Sequence, residues 1–142
     1  MEYSFGTIQV EAEVIEDERD SIATLQELKQ RYSYLRKKQK EHLYAVYLNN
    51  SNEIIGDKLI SLGQSVKTSL DVRDVARTAV LTDASAVILV HNHCSSNCEP
   101  SSSDLTATEE VQTALETFDV QLLDHLIISK EGSYSFKAEG DL

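Results

Sequence analysis

One short polar segment of this 142-residue sequence holds several side chains that together could bind a metal ion. His91 and His93 stand two residues apart, and Asp104 follows eleven residues after His93. Residues two apart in an extended backbone point to the same side, so the two imidazoles should emerge together. Two neutral imidazoles and one carboxylate form a tripod for Zn²⁺ that leaves one position for water, whose pKa then falls to about 7. The spacing therefore predicts one Zn²⁺ per chain and metal-assisted hydrolysis.

The same segment supports two other interpretations. Ser101 followed by Asp104 three residues later is the pattern of a helix capping box, which needs no chemistry at all. From spacing alone, metal binding and capping are equally favoured, and one carboxylate can serve both. A closed structural zinc site, without an open position, would instead use His91, His93, Cys94 and Cys98. That arrangement is less favoured because His93 and Cys94 are adjacent and would both have to turn toward one ion.

Hydrophobic periodicity predicts the elements that position this segment. Residues 86–90 form the most apolar run of the chain and predict a buried central strand that ends at His91. A polar loop follows, and Asp104 falls in the first turn of the next helix. One face of that helix is predicted to carry Val111, Ala114, Leu115 and Phe118. Residues 120–128 and 134–137 then predict two final strands.

In the first half of the chain, the spacing of hydrophobic residues is that of strands in some segments and of helices in others. The predicted elements are a strand at 7–15, a helix at 21–39, a β-hairpin formed by 42–48 and 54–62, and a helix at 71–81. The turn-forming run 49–52 joins the two hairpin strands. Strands and helices that follow one another in this way predict one α/β domain with a mixed central sheet flanked by helices.

Composition and charge exclude several classes of protein. A hydrophobic fraction of 41% is typical of a folded domain, whereas a net charge of −11 should repel a phosphate backbone. The sequence shows no apolar run long enough to span a bilayer and no signal peptide, which predicts a cytoplasmic location without membrane contact. The main group of basic residues is interpreted as a solvated helix face: Lys29, Arg31, Arg36, Lys37, Lys38 and Lys40.

The complete pattern is His-x-His, seven residues, Ser, two residues and Asp, which matches the JAMM motif of the MPN/JAB zinc metalloproteases. The segments 41–49, 86–104 and 123–128 resemble the RadC-like branch, of the UPF0758 type, and the likeness covers about residues 39–137. This resemblance implies a cytidine-deaminase-like MPN (JAB) fold. Within it, residues 39–142 would be the metallo-hydrolase core, and residues 1–38 an N-terminal strand and helix of the same domain.

The resemblance also implies roles for individual residues. His91, His93 and Asp104 would hold the zinc, Glu41 would carry the proton, and Ser101 would donate a hydrogen bond to the developing oxyanion. Peptide or isopeptide bonds would be the substrates, and the domain could act with a protein partner or as a homo-oligomer. His125 is interpreted as a hydrogen-bonded structural residue outside the site.

Two departures and two alternative functions accompany this resemblance. Related sequences have Pro-Ser-Gly after the second histidine, where this chain has Cys94-Ser95-Ser96, so a different loop geometry is expected. Many also carry an N-terminal DNA-binding module, where this chain predicts one strand and one helix. The alternatives are a catalytically silent MPN-type scaffold and a DNA-repair-associated protein. The full set of five site residues argues against the first, and the acidic charge against the second.

Overall fold

The computed structural model describes residues 13–14, 25–63 and 70–142. The strands in these ranges are β1 (Glu13–Val14), β2 (Glu41–Leu48), β3 (Ile54–Gly63), β4 (Ala86–Asn92), β5 (Gln121–Ile128) and β6 (Ser133–Ser135). The helices are α1 (Leu25–Arg31), a 3-10 helix (Ser33–Lys37), α2 (Val72–Leu81) and α3 (Ser102–Glu116). The strands form one mixed sheet in the order β1-β3-β2-β4-β5-β6. This confirms the predicted α/β class.

The central strand β4 carries the candidate ligands because of its neighbours. All of its residues are buried, and it pairs antiparallel with β2 and parallel with β5. A parallel pair needs a crossover, and α3 provides it between β4 and β5. The carboxyl end of β4 and the start of α3 are thereby brought together, as the sequence predicted.

Both faces of the sheet are covered, which explains the unbroken apolar run in β4. One face packs against α2 and α3 through a cluster that includes Leu43, Ala45, Val87, Leu89, Val75, Ala79, Val111 and Leu115. The other packs against α1 and the 3-10 helix through Val46, Ile88, Val90, Leu126, Leu28, Tyr32 and Leu35. Successive side chains of a strand alternate between faces, so His91 shares the face of Val87 and Leu89 and points toward the α3 side.

The predicted β-hairpin is confirmed as β2 and β3. The side-chain oxygen of Asn49 accepts hydrogen bonds from the backbone N–H groups of Ser51 and Glu53, at 2.9 and 3.0 Å. Asn52 has a positive φ of 58°, which asparagine tolerates better than most residues. Hydrogen bonds of one asparagine and the backbone conformation of another therefore form the turn, as its composition suggested.

The helix predicted at 21–39 is wrong over its second half. Within the described residues, α1 ends at Arg31, and a 3-10 helix follows in which the N–H of Leu35 donates to the carbonyl of Tyr32 at 3.0 Å. Tyr32 and Leu35 are three residues apart, which is the repeat of a 3-10 helix. Residues 21–24, and all of the predicted first strand except 13–14, lie outside the described residues.

The group of basic residues has two roles rather than one. Lys37, Lys38 and Lys40 are exposed, as a solvated face requires. Arg36 is half-buried instead, and its Nη1 donates to the carbonyls of Ser129 and Gly132 at 2.6 and 2.8 Å. Arg36 thus ties the 3-10 helix to the turn at residues 129–132, which we call the backing turn.

The end of α3 also differs from prediction. Phe118 was expected on the buried helix face, but α3 ends at Glu116 and the Phe118 side chain is 54% exposed. Asp119 has a left-handed φ of 57°, which turns the chain back so that Val120 enters the core in its place.

None of the helices in the described ranges is long and apolar enough to cross a membrane.

Candidate metal centre

The predicted ligands converge at the carboxyl end of β4. His91 is the penultimate residue of that strand and is fully buried, while His93 lies just beyond the strand and is half-buried. Asp104 is buried in the first turn of α3. One ligand atom from each of these three residues lies within 4.8 Å of the others. The sequence prediction therefore named three residues that the fold brings together.

The start of α3 fixes the carboxylate of Asp104. The N–H of Asp104 donates to Ser101 Oγ at 3.1 Å, and the N–H of Ser101 donates to Asp104 Oδ2 at 2.9 Å. These two bonds form the capping box that the spacing also predicted. Asp104 thus both caps α3 and belongs to the ligand cluster, because the capping bonds hold its carboxylate next to the two histidines. The hydroxyl proton of exposed Ser101 is still available to donate, because its oxygen acts as the acceptor in the cap.

The two histidines meet this carboxylate differently. His93 Nε2 lies 2.9 Å from Asp104 Oδ2, and His93 Nδ1 donates to the carbonyl of Asn97 at 3.0 Å. Burial would raise the pKa of Asp104, but its contacts with both histidines outweigh this and hold that pKa well below its usual range. The hydrogen bond to Asp104 raises the pKa of His93, whereas burial lowers the pKa of His91. The contact between His93 and Asp104 therefore shifts the two pKa values in opposite directions, upward for His93 and downward for Asp104.

His91 Nε2 is the atom that best tests whether a metal fits. It lies 3.4 Å from Asp104 Oδ1, and in the described part of the chain it is buried without a hydrogen-bond partner. A buried polar atom left without a partner costs about 1–3 kcal/mol. A cation between His91, His93 and Asp104 would satisfy that nitrogen, and an N₂O donor set suits Zn²⁺ rather than Mg²⁺ or Ca²⁺. The residues present therefore fit a zinc ion.

Glu41 lies beside the cluster without belonging to it. It begins β2, where Leu43 is paired with His91, so the antiparallel register places Glu41 next to His93 on the same face. Burial raises the pKa of Glu41 above its ordinary value, with the positive charge of His93 acting against it. The side chain is half-buried. This is the position that a proton carrier for the cluster would need.

Asn92 was not singled out from the sequence, but it secures this arrangement. Its Oδ1 accepts from the N–H of His42 at 2.7 Å, and its Nδ2 donates to the carbonyl of Lys40 at 3.1 Å. The side chain thus ties the start of β2 to the end of β4. An asparagine between two candidate ligands was the available signal, since its amide can bridge two backbone groups.

The loop from 93 to 101, which we call the metal loop, is supported from behind. The N–H of Lys130 donates to the carbonyl of Ser95, and Ser129 Oγ donates to the carbonyl of Ser96, both at 3.1 Å. These contacts come from the backing turn that Arg36 holds. The loop is therefore anchored although Cys94-Ser95-Ser96 stand where the resemblance led us to expect Pro-Ser-Gly.

The two cysteines stay apart from the cluster. Cys94 and Cys98 are free, half-buried thiols, and burial raises the pKa of Cys94. Among the described residues, the potential ligand atoms that converge belong to His91, His93 and Asp104. The closed site with four histidine and cysteine ligands is accordingly not the arrangement found.

His125 contacts the cluster, which the sequence analysis did not foresee. It was expected to be hydrogen-bonded within the core, and it is buried on β5. Its Nε2, however, lies 2.6 Å from Nδ1 of the candidate ligand His91. A histidine in an apolar strand gave no sign of this partner, because strand β5 becomes the neighbour of β4 only through the crossover.

Metal binding should release a proton. Because the pKa of His93 is raised, the stability from its pair with Asp104 is full below pH about 6.5 and is lost as pH rises through that raised pKa. Zn²⁺ needs the neutral imidazole, so its affinity should increase over that same interval. Calorimetric titration with Zn²⁺ at pH 6.5, in buffers of different ionisation enthalpy, should show release of about one proton.

The matched control for this titration is His42→Gln, which removes a histidine outside the cluster. It should leave the proton release unchanged, because His42 bonds to the Lys40 carbonyl instead. An affinity for Zn²⁺ that does not change between pH 6 and 8 would show that His93 is already neutral in the metal-free protein.

Comparison with known sequences identifies the family. Residues 19–141 match the RadC-like JAB domain. The chain belongs to that family. The match confirms the predicted resemblance and begins about twenty residues before the likeness seen in the sequence, so the RadC-like domain includes α1 and the 3-10 helix.

The curated relatives are similar in sequence but longer. Over 105 residues the RadC-like chain is 40% identical to a UPF0758 protein of Streptococcus suis, covering 74% of this chain and 43% of the relative. Over 132 residues it is 36% identical to a UPF0758 protein of Thermotoga maritima, covering 93% of this chain and 58% of the relative. The chain therefore spans about half the length of the curated relatives it matches. Their names state no activity.

Proposed function

We propose that this RadC-like JAB domain is a zinc-dependent hydrolase of the JAMM type that cleaves peptide or isopeptide bonds. The observation that carries the proposal is the buried, unpartnered Nε2 of His91, which faces the same small space as His93 and Asp104. A catalytically silent scaffold has no need of such an atom. A hydrolytic zinc site has three protein ligands and leaves one position open.

His91, His93 and Asp104 would hold the ion. When bound, Zn²⁺ supplies a nucleophile from water near neutral pH and a Lewis acid for the substrate carbonyl. The half-buried position of His93 supports this role, since it leaves one side of the cluster accessible while His91 closes the other.

The remaining site residues supply proton transfer and charge stabilisation. Glu41 accepts the proton of the attacking water and returns it to the departing amine, for which a carboxyl with a raised pKa is suited. Ser101 donates a hydrogen bond from its hydroxyl to the oxygen that becomes negative in the transition state. Its place at the start of α3, one turn before Asp104, keeps that hydroxyl next to the ligands.

The substrate is proposed as an amide-linked peptide or protein. The net charge of −11 disfavours a phosphate backbone, so DNA is not expected to bind through this chain alone. A protein partner or a second copy of the chain could complete the substrate site.

The test combines metal content with hydrolysis. The purified chain should contain about one zinc and should cleave a pool of internally quenched peptides or a lysine-linked isopeptide. Removing the metal with a chelator should abolish cleavage, and equimolar Zn²⁺ should restore it. A chain that does not bind zinc would contradict the proposed site. Zinc binding without cleavage of either class would support the silent scaffold.

A further inference from the structure

A chain of buried hydrogen bonds links two of the candidate ligands through the core. His91 Nδ1 lies 2.6 Å from His125 Nε2, and His125 Nδ1 lies 2.6 Å from Thr108 Oγ1. Thr108 Oγ1 in turn donates to the carbonyl of Asp104 at 2.7 Å. All four residues are buried. This chain of hydrogen bonds therefore starts at the side chain of one ligand, His91, and ends at the backbone of another, Asp104.

The donor and the acceptor of each hydrogen bond in this chain can be assigned. A carbonyl only accepts, so the single hydroxyl proton of Thr108 goes to Asp104, and Thr108 Oγ1 accepts from His125 Nδ1. His125 is fully buried and no carboxylate lies on either of its nitrogens, so its imidazole is neutral and its Nε2 carries a lone pair. That lone pair must accept from His91 Nδ1. His91 is fully buried as well, so as a neutral imidazole it is left with a lone pair on Nε2, the atom that faces the cluster.

The ring of His125 is also held in place. It packs against Phe136 with the ring centroids 4.5 Å apart and the planes 14° from parallel. Its strand β5 lies next to β4, with His125 opposite Leu89 in the register. The acceptor for His91 is thus fixed by both packing and strand pairing.

We propose that His125 is a positioning residue that holds His91 in the tautomer with a free Nε2 lone pair, with Thr108 setting the direction of its hydrogen bonds. This inference rests on the proposed metal site and deepens it. Because this chain of hydrogen bonds ends at the Asp104 backbone, it also couples the position of His91 to that of Asp104. The centre is thereby prepared to bind Zn²⁺ before the ion arrives.

The first experiment measures zinc affinity in competition with a chelator. His125→Phe keeps a flat ring but removes the acceptor, and it should weaken zinc binding about 10- to 100-fold, as loss of a partner behind a metal ligand typically does. His125→Gln offers an amide oxygen where Nε2 was and should restore most of the loss. If His125 only fills the core, zinc affinity should instead follow the stability of the variants, and the more stable of the two should bind zinc more tightly.

Thr108 provides a second variant that keeps the fold. Thr108→Val is nearly isosteric and should weaken zinc binding less than His125→Phe, because both tautomers of His125 become accessible. The matched control is Thr106→Val, which removes the same kind of bond on α3, from Thr106 Oγ1 to the Ser102 carbonyl at 3.0 Å. Thr106→Val should bind zinc like the unchanged chain.

The second readout needs no metal. In the ¹⁵N-labelled, zinc-free chain, long-range ¹H–¹⁵N spectra should show His91 with a proton on Nδ1 and none on Nε2, and His125→Phe should lose this preference. The proposal is overturned if His91 carries its proton on Nε2, or if His125→Phe binds zinc normally. A chain with the expected tautomer that fails to bind zinc would instead overturn the proposed function alone.

Discussion

Asp104→Asn should lower the affinity for Zn²⁺ by about 10²- to 10³-fold. Structural zinc sites with four ligands bind with about 10–16 kcal/mol, or about 2.5–4 kcal/mol per ligand, and each 1.4 kcal/mol is a factor of ten. The substitution removes the only charged ligand of the proposed tripod. It keeps an oxygen that can accept from the N–H of Ser101, so the start of α3 should survive. Competition titration with a chelator measures the change.

The control for this substitution is Asp71→Asn. Asp71 caps α2 by accepting from the N–H of Asp74 at 3.1 Å, so the variant loses the same charge at another helix start. Its zinc affinity should be unchanged. If Asp104→Asn binds zinc normally while the double variant Cys94→Ser/Cys98→Ser does not, the thiols hold the ion and the open site is wrong.

Glu41→Gln should lower kcat by about 10²- to 10⁴-fold while zinc content stays the same. Loss of a positioned general base typically costs that much, and an amide cannot accept the proton. The reason for unchanged metal binding is geometric, since Glu41 lies beside His93 but is not one of the three converging ligands. Steady-state kinetics with the peptide pool, together with elemental analysis, tests both parts.

The pH profile adds a second criterion for Glu41. Burial raises the pKa of Glu41, and the base must be ionised, so activity should fall as pH falls through that raised value. Glu41→Gln should remove this limb, and Glu53→Gln, at the other end of the β2–β3 hairpin, should retain it. A loss of zinc together with activity in Glu41→Gln would make Glu41 a ligand rather than a base.

Much of this arrangement follows from local pattern. The apolar run of β4 predicts a central strand, and two histidines two apart at its end predict a shared face. Ser101 and Asp104 at a capping spacing predict where α3 begins. These features depend on residues that are close together in the sequence, so the spacing of residue types predicts them well.

What the sequence did not predict depends on partners far along the chain. His125 contacts His91 only because the crossover makes β5 the neighbour of β4. Arg36 was grouped with solvated lysines because nothing near it marks the carbonyls that it binds. Phe118 has the right spacing for the buried face of α3, but the helix ends at Glu116, two residues before it. In each case a tertiary contact or the end of a helix overrides the local pattern.

The contact of Arg36 with the backing turn has a consequence for the order of assembly. Arg36 and the carbonyls that it binds are 93 and 96 positions apart in the chain. Contacts across so long a segment form slowly, because the chain between them must close before they are made, so local structure precedes them. During synthesis, Arg36 emerges long before the turn that it must hold. The support behind the metal loop is therefore completed only when nearly the whole domain has been made, so we expect the proposed centre to bind metal after folding rather than at its start.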